Sequence, residues 1–365
     1  MPGRIGTLSC EMAESEFSSR ARGTACALGA ALLFGASAPL AKLLLPSVAP
    51  LMLAAVFYLG AGAVLLAVRA LRGAGATSRE APLSRADAPL LVAVVVAGGI
   101  AGPVLLLVGL ARVTGIVGAL LLNLEAPFTI LLALAFFGEH LGRRETLSAA
   151  LVISGAALLG LRSGPVSIDA LGIASIAAAC LCWGLDNNLT QRLSLRDPIA
   201  LVSIKATSAG ACMLALALAT GHALPEPRIL APALVVGSLS YGASIVLAVY
   251  ALRDLGAARE SALFATAPFA GALLAVPLLG ELPRLVDWTA AGVMALGVVL
   301  LARASHDHLH AHEALVHEHI HYHDEHHRHA HEGPVTEPHS HVHRHEPLVH
   351  RHAHVSDLHH RHEHE

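Results

Sequence analysis

The sequence predicts an all-α integral membrane protein, in which ten transmembrane helices form two inverted five-helix repeats and a disordered, histidine-rich tail follows. Three observations lead to this fold class. Hydrophobic residues make up 55% of the chain, charged residues only 14%, and the mean hydropathy is +0.61, which lies outside the range of ordinary soluble domains. Apolar segments long enough to cross a bilayer recur along the chain. Motifs of the first half return in the same order in the second half.

The first 22 residues are polar and contain no apolar core. They are therefore not a cleavable signal peptide, and we expect a polar cytoplasmic N-terminus over residues 1–22.

Ten apolar segments follow. A bilayer core of about 30 Å needs roughly 20 helical residues. Spans 1–5 form the first predicted repeat, residues 23–162, and spans 6–10 form the second, residues 168–303. The predicted spans are 23–45, 48–70, 89–111, 114–137, 146–162, 170–193, 198–220, 229–252, 258–280 and 285–303.

The distribution of Lys and Arg predicts the orientation, because cytoplasmic loops retain positive charge. An even number of spans places both termini on one side. If that side is the cytoplasm, the inner segments before the tail hold 14 Lys or Arg and the outer loops hold four. We therefore expect a multi-pass membrane protein with both termini in the cytoplasm.

Two pairs of motifs carry the repeat. The stretch LLFGASAPLAKLL at 32–44 aligns with LCWGLDNNLTQRL at 181–193, and EAPFTILLALAFFGEHL at 125–141 aligns with TAPFAGALLAVPLLGEL at 266–282 with one inserted residue. Five spans per half is an odd number, so the second copy is inverted. Inverted repeats are typical of secondary transporters.

This arrangement, with FG or WG in the first helix of each half and APF…GE closing the fourth, resembles the EamA family of the drug/metabolite transporter superfamily. The resemblance covers residues 23–303. It implies a secondary carrier of small metabolites or ions in the inner membrane, often an exporter, without a bound nucleotide. The motifs specify architecture and leave the substrate open.

Glu125 lies midway along the fourth span. An ionisable residue at that depth is costly and usually faces a bundle interior or a wet cavity. Because desolvation disfavours its charged form, Glu125 is a candidate to carry a proton; the alternative is a structural bond to a neighbouring helix. Asn123 adds an amide, and Pro127 frees carbonyls that could coordinate an ion. The repeat places Thr266 and Pro268 at the equivalent break in the ninth span.

The sixth span is unusually polar towards its end. Asp186 there and Lys205 in the seventh span are expected to form an ion pair, either a gate or a scaffold. Asn187 and Asn188 are expected to line the cavity.

Other residues have a structural interpretation. Lys42 is expected to snorkel to the interface, Gly98 and Gly102 to allow close helix packing, and the Gly-Glu pairs at 138–139 and 280–281 to end helices. The five cysteines have no disulfide or zinc spacing and are expected to be structural.

The tail, residues 304–365, holds 23 of the 25 histidines and alternates them with acidic, basic and apolar residues. Histidines two apart on an extended chain can chelate one metal ion, and Zn, Ni, Co and Cu are all suitable. Without a hydrophobic period, the tail is expected to be disordered until metal binds. A pH-dependent tail, or a metal buffer that regulates a carrier of organic solutes, is equally open. The metal ligands are predicted at His317, His319, His321, His323, His326, His327, His329 and His331.

The favoured function is a proton-coupled secondary transporter, an exporter, of a small metabolite or ion, with a metal-binding regulatory tail. The first alternative is a transition-metal transporter that captures Zn, Ni or Co with the tail, and the second is a membrane-tethered metal store or sensor. No catalytic motif or nucleotide-binding loop is found, so neither an enzyme nor a required cofactor is expected. The expected partners are lipid, substrate and protons, without nucleic acid, and the oligomeric state stays open.

Overall fold

The computed structural model describes residues 20–72, 83–137, 142–161, 170–193, 196–303 and four segments of the tail. Residues 20–303 form an all-α bundle in the described part. Its helices are α1 (Arg20–Leu44), α2 (Pro50–Arg72), α3 (Arg85–Leu110), α4 (115–137), α5 (Arg143–Gly160), α6 (Ala170–Gln191), α7 (Pro198–Ala219), α8 (227–255), α9 (257–279) and α10 (Leu285–Ala302).

Nine of these helices are long and apolar enough to cross a membrane, counted over the described residues. The other helix, α5, is as long as α10 but begins with three charged residues, and it packs antiparallel along α10. Ser148 near its start donates to the Gly297 carbonyl, and Gly155 further on faces Ala290 and Met294. Helix α5, which corresponds to the fifth predicted span, therefore runs alongside the candidate span α10.

The bundle has two ends. Successive helices alternate in direction, so odd-numbered helices start where even-numbered ones finish. Ion pairs agree with this arrangement, since Arg22 of α1 bonds Asp254 at the end of α8 and Arg196 before α7 bonds Asp87 of α3. We call this the terminal end, because the bundle begins and finishes there, and the other the opposite end.

The second half starts at the opposite end. Gly172, near the start of α6, packs against Arg112 and Val113, which follow the end of α3. Helix α1 starts at the terminal end, so the two halves run in opposite directions through the bundle.

The halves interlock around a core of apolar side chains. Helix α2 packs against α7, and α5 against α10. Helix α3 of the first half packs on α6 and α7, just as α8 of the second half packs on α2. Most buried residues are small or aliphatic, which allows close helix approach.

Among the described helices, α1 is interrupted by a turn at Ala36, and four others are interrupted at matching places in the two halves. A π-helix occupies Val95–Ala101 of α3 and another occupies Ser238–Ala243 of α8. Helix α4 tightens to a 3-10 turn at Leu122–Leu124 before it resumes at Glu125, and α9 breaks after Phe264 and resumes at Ala267. The expectation of broken helices near Glu125 and Thr266 is thus confirmed. The π-helices are additional.

The tail segments form strands β1 (His306–His312), β2 (Leu315–His321), β3 (His339–His345) and β4 (Leu348–His354). β1 pairs antiparallel with β4, and β2 with β3. These segments differ from the expected disorder, because histidines and apolar residues that alternate with period two are typical of strands. The other tail residues, and Gly138–Glu139, lie outside the described part.

Candidate functional site

A polar cluster joins α4 to α6. The side-chain amide of Asn187 donates to the Glu125 carboxylate at 2.8 Å and lies 3.4 Å from the Thr129 hydroxyl. That hydroxyl donates to the Glu125 carbonyl at 2.9 Å, one turn earlier in α4. Glu125 is half-buried and Asn187 is exposed, so the carboxylate is held by a neutral donor and stays reachable.

An ion pair lies beside this cluster. The Lys205 ammonium of α7 bonds the Asp186 carboxylate of α6, as the sequence predicts. The two side chains are only 16% and 7% exposed. A buried pair of this kind is costly to break, because removal of one partner leaves the other charge unpaired.

The π-helix of α3 supports the ion pair. A side chain at Gly98 would overlap the Asp186 carboxylate, so glycine is required for this approach. The Gly98 carbonyl accepts from the Tyr58 hydroxyl at 3.0 Å and from the Trp183 indole N–H at 3.1 Å. The predicted packing role of Gly98 is correct, and its partner is the ion pair. π-helices often occur at functional sites.

The three ionisable groups interact. The Glu125 carboxyl lies within electrostatic range of both Asp186 and Lys205. With both carboxylates ionised, two negative charges face one positive charge, and the cluster carries a net charge of −1. It therefore favours a proton or a cation over an anion.

Other predicted residues lie apart from this cluster. The Asn123 amide donates to the Leu120 carbonyl and contacts the Met294 sulfur of α10, and Asn123 is 5% exposed. Asn123 and Glu125 point in different directions, because Asn123 contacts α10 and Glu125 contacts α6. Side chains thus contact several carbonyls around the 3-10 turn, because Cys180 also contacts the carbonyls of Leu121 and Leu122.

Asn188 is buried and cross-links the two helices. Its amide donates to the Thr129 carbonyl at 3.0 Å and to the Gly184 carbonyl at 2.8 Å. It was expected in the cavity, but it belongs to the α4–α6 contact.

The two prolines and Thr266 mark the breaks. Pro127 is buried and Pro268 is half-buried. Thr266 is exposed, and its hydroxyl donates to the Leu263 carbonyl at 2.7 Å. The equivalent of Glu125 in the second half is therefore a hydroxyl that is already satisfied by its own helix.

Sequence reasoning missed an aromatic cluster between the halves. The Tyr241 ring, in the π-helix of α8, lies 5.8 Å from Phe34 and 5.9 Å from both Phe57 and Tyr58. Phe34 also packs on Phe264 at 5.3 Å. Aromatic residues make up only 4% of the chain, so those within apolar helices could have been treated as candidates for a common cluster. Tyr58 links this cluster to the Gly98 carbonyl.

Two residues at the opposite end differ from their expected roles. Lys42 was expected to snorkel, but its ammonium is half-buried and donates to the Leu110 carbonyl at 2.7 Å. Gly280 ends α9 in the left-handed conformation, φ 63°, as predicted. Glu281 does more than follow that turn, because its carboxylate accepts from the backbone N–H groups of Gly115 and Ile116 at 2.6 and 2.9 Å. A carboxylate at a helix start satisfies N–H groups that lack partners within the helix.

Metal ligands do not converge in the described side chains: among them, no group of three or more His, Cys, Asp or Glu could hold a metal ion. In the tail, His317, His319 and His321 lie in β2, at register positions opposite His343, His341 and His339 of β3. The other five predicted ligands, His323, His326, His327, His329 and His331, lie outside the described residues.

Comparison with known proteins identifies the family. The profile of the EamA-like transporter family matches the chain twice, over residues 21–161 and 170–303. The chain belongs to the EamA-like transporter family. The two EamA-like matches together cover all ten helices of the bundle.

Relatives carry transporter names. An "Uncharacterized transporter" of Methanothermobacter thermautotrophicus is 31% identical over 318 residues, which are 82% of this chain and 92% of the relative. The "Uncharacterized inner membrane transporter YedA" of Escherichia coli K12 is 27% identical over 264 residues, 69% of this chain and 81% of YedA. A crystal structure of another protein has a TM-score of 0.56 at 21% identity, over 77% of this chain and 97% of that chain, and shows the same fold. This EamA-like chain is a multi-pass protein of the inner membrane and a transporter by family.

Proposed function

We propose that the chain is a proton-coupled secondary transporter that exports a small metabolite or ion, and that Glu125 is the coupling group. We count helix α5 as a span in addition to the nine apolar helices of the described part, which gives ten spans and places both termini on one side. The distribution of Lys and Arg makes that side the cytoplasm. The observation that carries the proposal is the half-buried Glu125 carboxylate, held by the neutral amide of Asn187 next to an ion pair that is already complete. Such a carboxylate can exchange its charge for a proton without the loss of a salt bridge.

The net charge of the cluster supports a proton or cationic cargo. Lys205 is bonded to Asp186, so Glu125 carries the negative charge that this pair leaves over. Two polar neighbours, Asn187 and Thr129, can orient a bound group by hydrogen bonds. Competition between a proton and substrate for one carboxylate would couple their movements in opposite directions.

The test is flux in proteoliposomes. Purified protein is reconstituted and offered a panel of amino acids, organic acids, polyamines, Zn²⁺, Ni²⁺ and Co²⁺, with and without an imposed pH gradient. We expect the transported compound to be concentrated against its gradient only when a pH gradient is present. Glu125→Gln should keep downhill exchange and lose this pH-driven accumulation. Glu226→Gln, which changes an exposed carboxylate in the loop before α8, is the matched control. Accumulation by Glu125→Gln with the wild-type pH dependence would contradict the coupling role.

The proposal includes a regulatory, metal-binding tail. Histidines of β2 are in register with histidines of β3, and His306, His308 and His310 of β1 are opposite His354, His352 and His350 of β4. Directly opposed positions of an antiparallel pair have Cβ atoms about 4.5–5.5 Å apart. The register thus supports metal binding across strands.

This register gives a sharper test than deletion alone. The double variant His317→Gln/His319→Gln changes β2 alone, and a quadruple variant also changes His341 and His343 of β3. If each metal ion takes ligands from both strands, the two variants should weaken Zn²⁺ or Ni²⁺ binding by the full chain equally. If each strand chelates metal independently, the double variant should instead keep the metal sites of β3. Deletion of residues 304–365 then separates regulation from cargo capture: unchanged cellular metal content with altered flux of an organic substrate supports regulation, whereas altered zinc, nickel or cobalt content supports the transition-metal alternative.

A further inference from the structure

The starts of α4 and α9 are equivalent by the repeat but unequally covered. Every residue at 115–124 of the first half is buried. At the equivalent positions, 256–265, none of the described side chains is buried, and Gly256, Arg259 and Ser261 are exposed. The inverted repeat therefore holds its two equivalent segments in different environments.

Packing explains this difference. The first piece of α4, Gly115–Leu121, lies against α9, α1 and α6, and a side chain at Gly115 would be 3.3 Å from Ala275 of α9. The first piece of α9, Ala257–Phe264, packs chiefly on α8 and α10, its neighbours in the same half. The start of α4, at the opposite end, is thus covered by helices of both halves, whereas the start of α9, at the terminal end, has no such cover from the first half.

Glu281 bridges the halves at the opposite end. It belongs to the second half, yet its carboxylate holds the N–H groups of Gly115 and Ile116, which start α4 of the first half. The Lys42 ammonium bonds Leu110, at the end of the preceding helix, and lies within electrostatic range of Glu281. Hydrogen bonds to an ionised carboxylate are stronger than neutral ones.

We propose that Glu281 is a latch that keeps the opposite end closed, supported by Lys42, and that it must release Gly115 and Ile116 before the site can open to that side. The inference rests on the proposed transport function, since only a carrier needs both open states. Alternating access requires contacts that exist in one state and are lost in the other. The contact between Glu281 and the start of α4 covers one end only, because the equivalent start of α9 at the other end is uncovered. We therefore expect this contact to be lost when the carrier opens to the opposite end.

Accessibility of engineered cysteines tests the latch without a known substrate. All native cysteines except the fully buried Cys180 are first replaced, so that only the introduced cysteine can react. Ser37→Cys, nearly isosteric and 1% exposed in wild type, reports opening of the opposite end; Thr266→Cys, at an exposed position, reports access from the terminal end. A membrane-impermeant maleimide is added to one face of oriented vesicles at a time.

With the latch intact, position 37 should be protected and position 266 should react from the terminal face alone. Glu281→Ala should raise the labelling rate at position 37 from the opposite face by about tenfold, equivalent to about 1.4 kcal/mol. Glu281→Gln, which keeps one strong acceptor, and Lys42→Met should give smaller increases. Glu226→Ala removes another carboxylate at the same end and should change nothing.

The possible outcomes distinguish loss of the Glu281 contact from misfolding of the variant and from failure of the proposed transport function. Unchanged labelling at position 37 in Glu281→Ala, or an equal rise in Glu226→Ala, overturns the proposal. Labelling at position 266 that stays restricted to the terminal face, together with continued protection of the buried Cys180, shows that the variants are folded. Because the readout involves no flux, a failure of proton-coupled transport in the Glu125 experiment leaves this result independent.

Discussion

Replacement of Gly98 by alanine should destabilise the bundle through the ion pair. A Cβ atom at this position would overlap the Asp186 carboxylate and lie 2.6 Å from the Asp186 Cβ. All three overlapping atoms belong to Asp186, so its side chain has to move. That movement withdraws the carboxylate from Lys205 and leaves the ammonium without its partner.

The magnitude follows from two costs. Overpacking of a well-packed core costs about 1–3 kcal/mol, and loss of one partner of a buried ion pair costs about 3–5 kcal/mol. Lys205 keeps 16% of its side chain exposed, which moderates the second cost. We expect Gly98→Ala to lower the free energy of unfolding by about 3 kcal/mol, the bottom of the range for a broken pair.

Thermal unfolding in detergent, followed by the fluorescence of Trp183 and Trp288, measures the change. Gly292→Ala is the matched control, because nothing lies within 4 Å of a Cβ atom there; it should be neutral or stabilising by about 0.5–1 kcal/mol through helix propensity. In a background of Asp186→Ala with Lys205→Met, two of the three overlapping atoms and the charge are gone, so Gly98→Ala should cost much less. Equal costs in both backgrounds, or a Gly98→Ala melt that matches wild type, would refute the reasoning.

Three further predictions use the same melting assay. Tyr58→Phe and Trp183→Phe should each cost about 1 kcal/mol, and the double variant should cost more than their sum because the buried Gly98 carbonyl then loses both side-chain donors; additive costs would contradict this. Gly35→Ala should cost at least about 1–3 kcal/mol, because its Cβ would meet backbone atoms of Ala267 and Gly271 that cannot rotate away; a cost no larger than that of Gly292→Ala counts against it. The Arg22 guanidinium, by hydrogen bonds of 2.8 Å, holds the pKa of Asp254 below its ordinary value, so this stabilisation is present above the pKa of the unfolded chain and lost as pH falls through the folded pKa. The melting difference between wild type and Asp254→Asn should therefore be constant near neutral pH and close below about pH 4; a gap that persists in acid would exclude the ion pair as its cause.

The sequence was informative where a polar side chain has few possible partners. Asp186 and Lys205 lie in membrane-spanning helices, and burial of a charge without a partner is costly, so their pairing could be anticipated. The bond between Asn187 and Glu125 was not predicted. Pro127 and Pro268 indicated the breaks near Glu125 and Thr266. The family profile matches twice, over ranges close to the two predicted repeats.

The sequence was less informative where local alternatives exist. Asn123 and Asn188 both bond carbonyls of their own helix as well as a neighbouring helix, and no pattern distinguishes that use from a role in a cavity. The π-helix at Gly98 depends on Asp186 and Trp183, which are distant along the chain, so it is a tertiary feature. Glu281 has its partners more than 160 residues away.

The two halves share a backbone plan but not its chemistry. The repeat sets Glu125 against Thr266, whose hydroxyl is satisfied by its own helix, and Asp186 against Ser37, which is buried beside Tyr241. In each of these two pairs of equivalent positions, one half has an ionisable side chain and the other half has a neutral one. A symmetric fold supplies two similar gates, whereas a coupling ion needs one site whose charge changes, and two charged sites would each have to be neutralised in every cycle. In the proposed mechanism, Glu125 is therefore the one member of the Glu125–Thr266 pair of positions whose charge can change, because Thr266 carries a neutral hydroxyl.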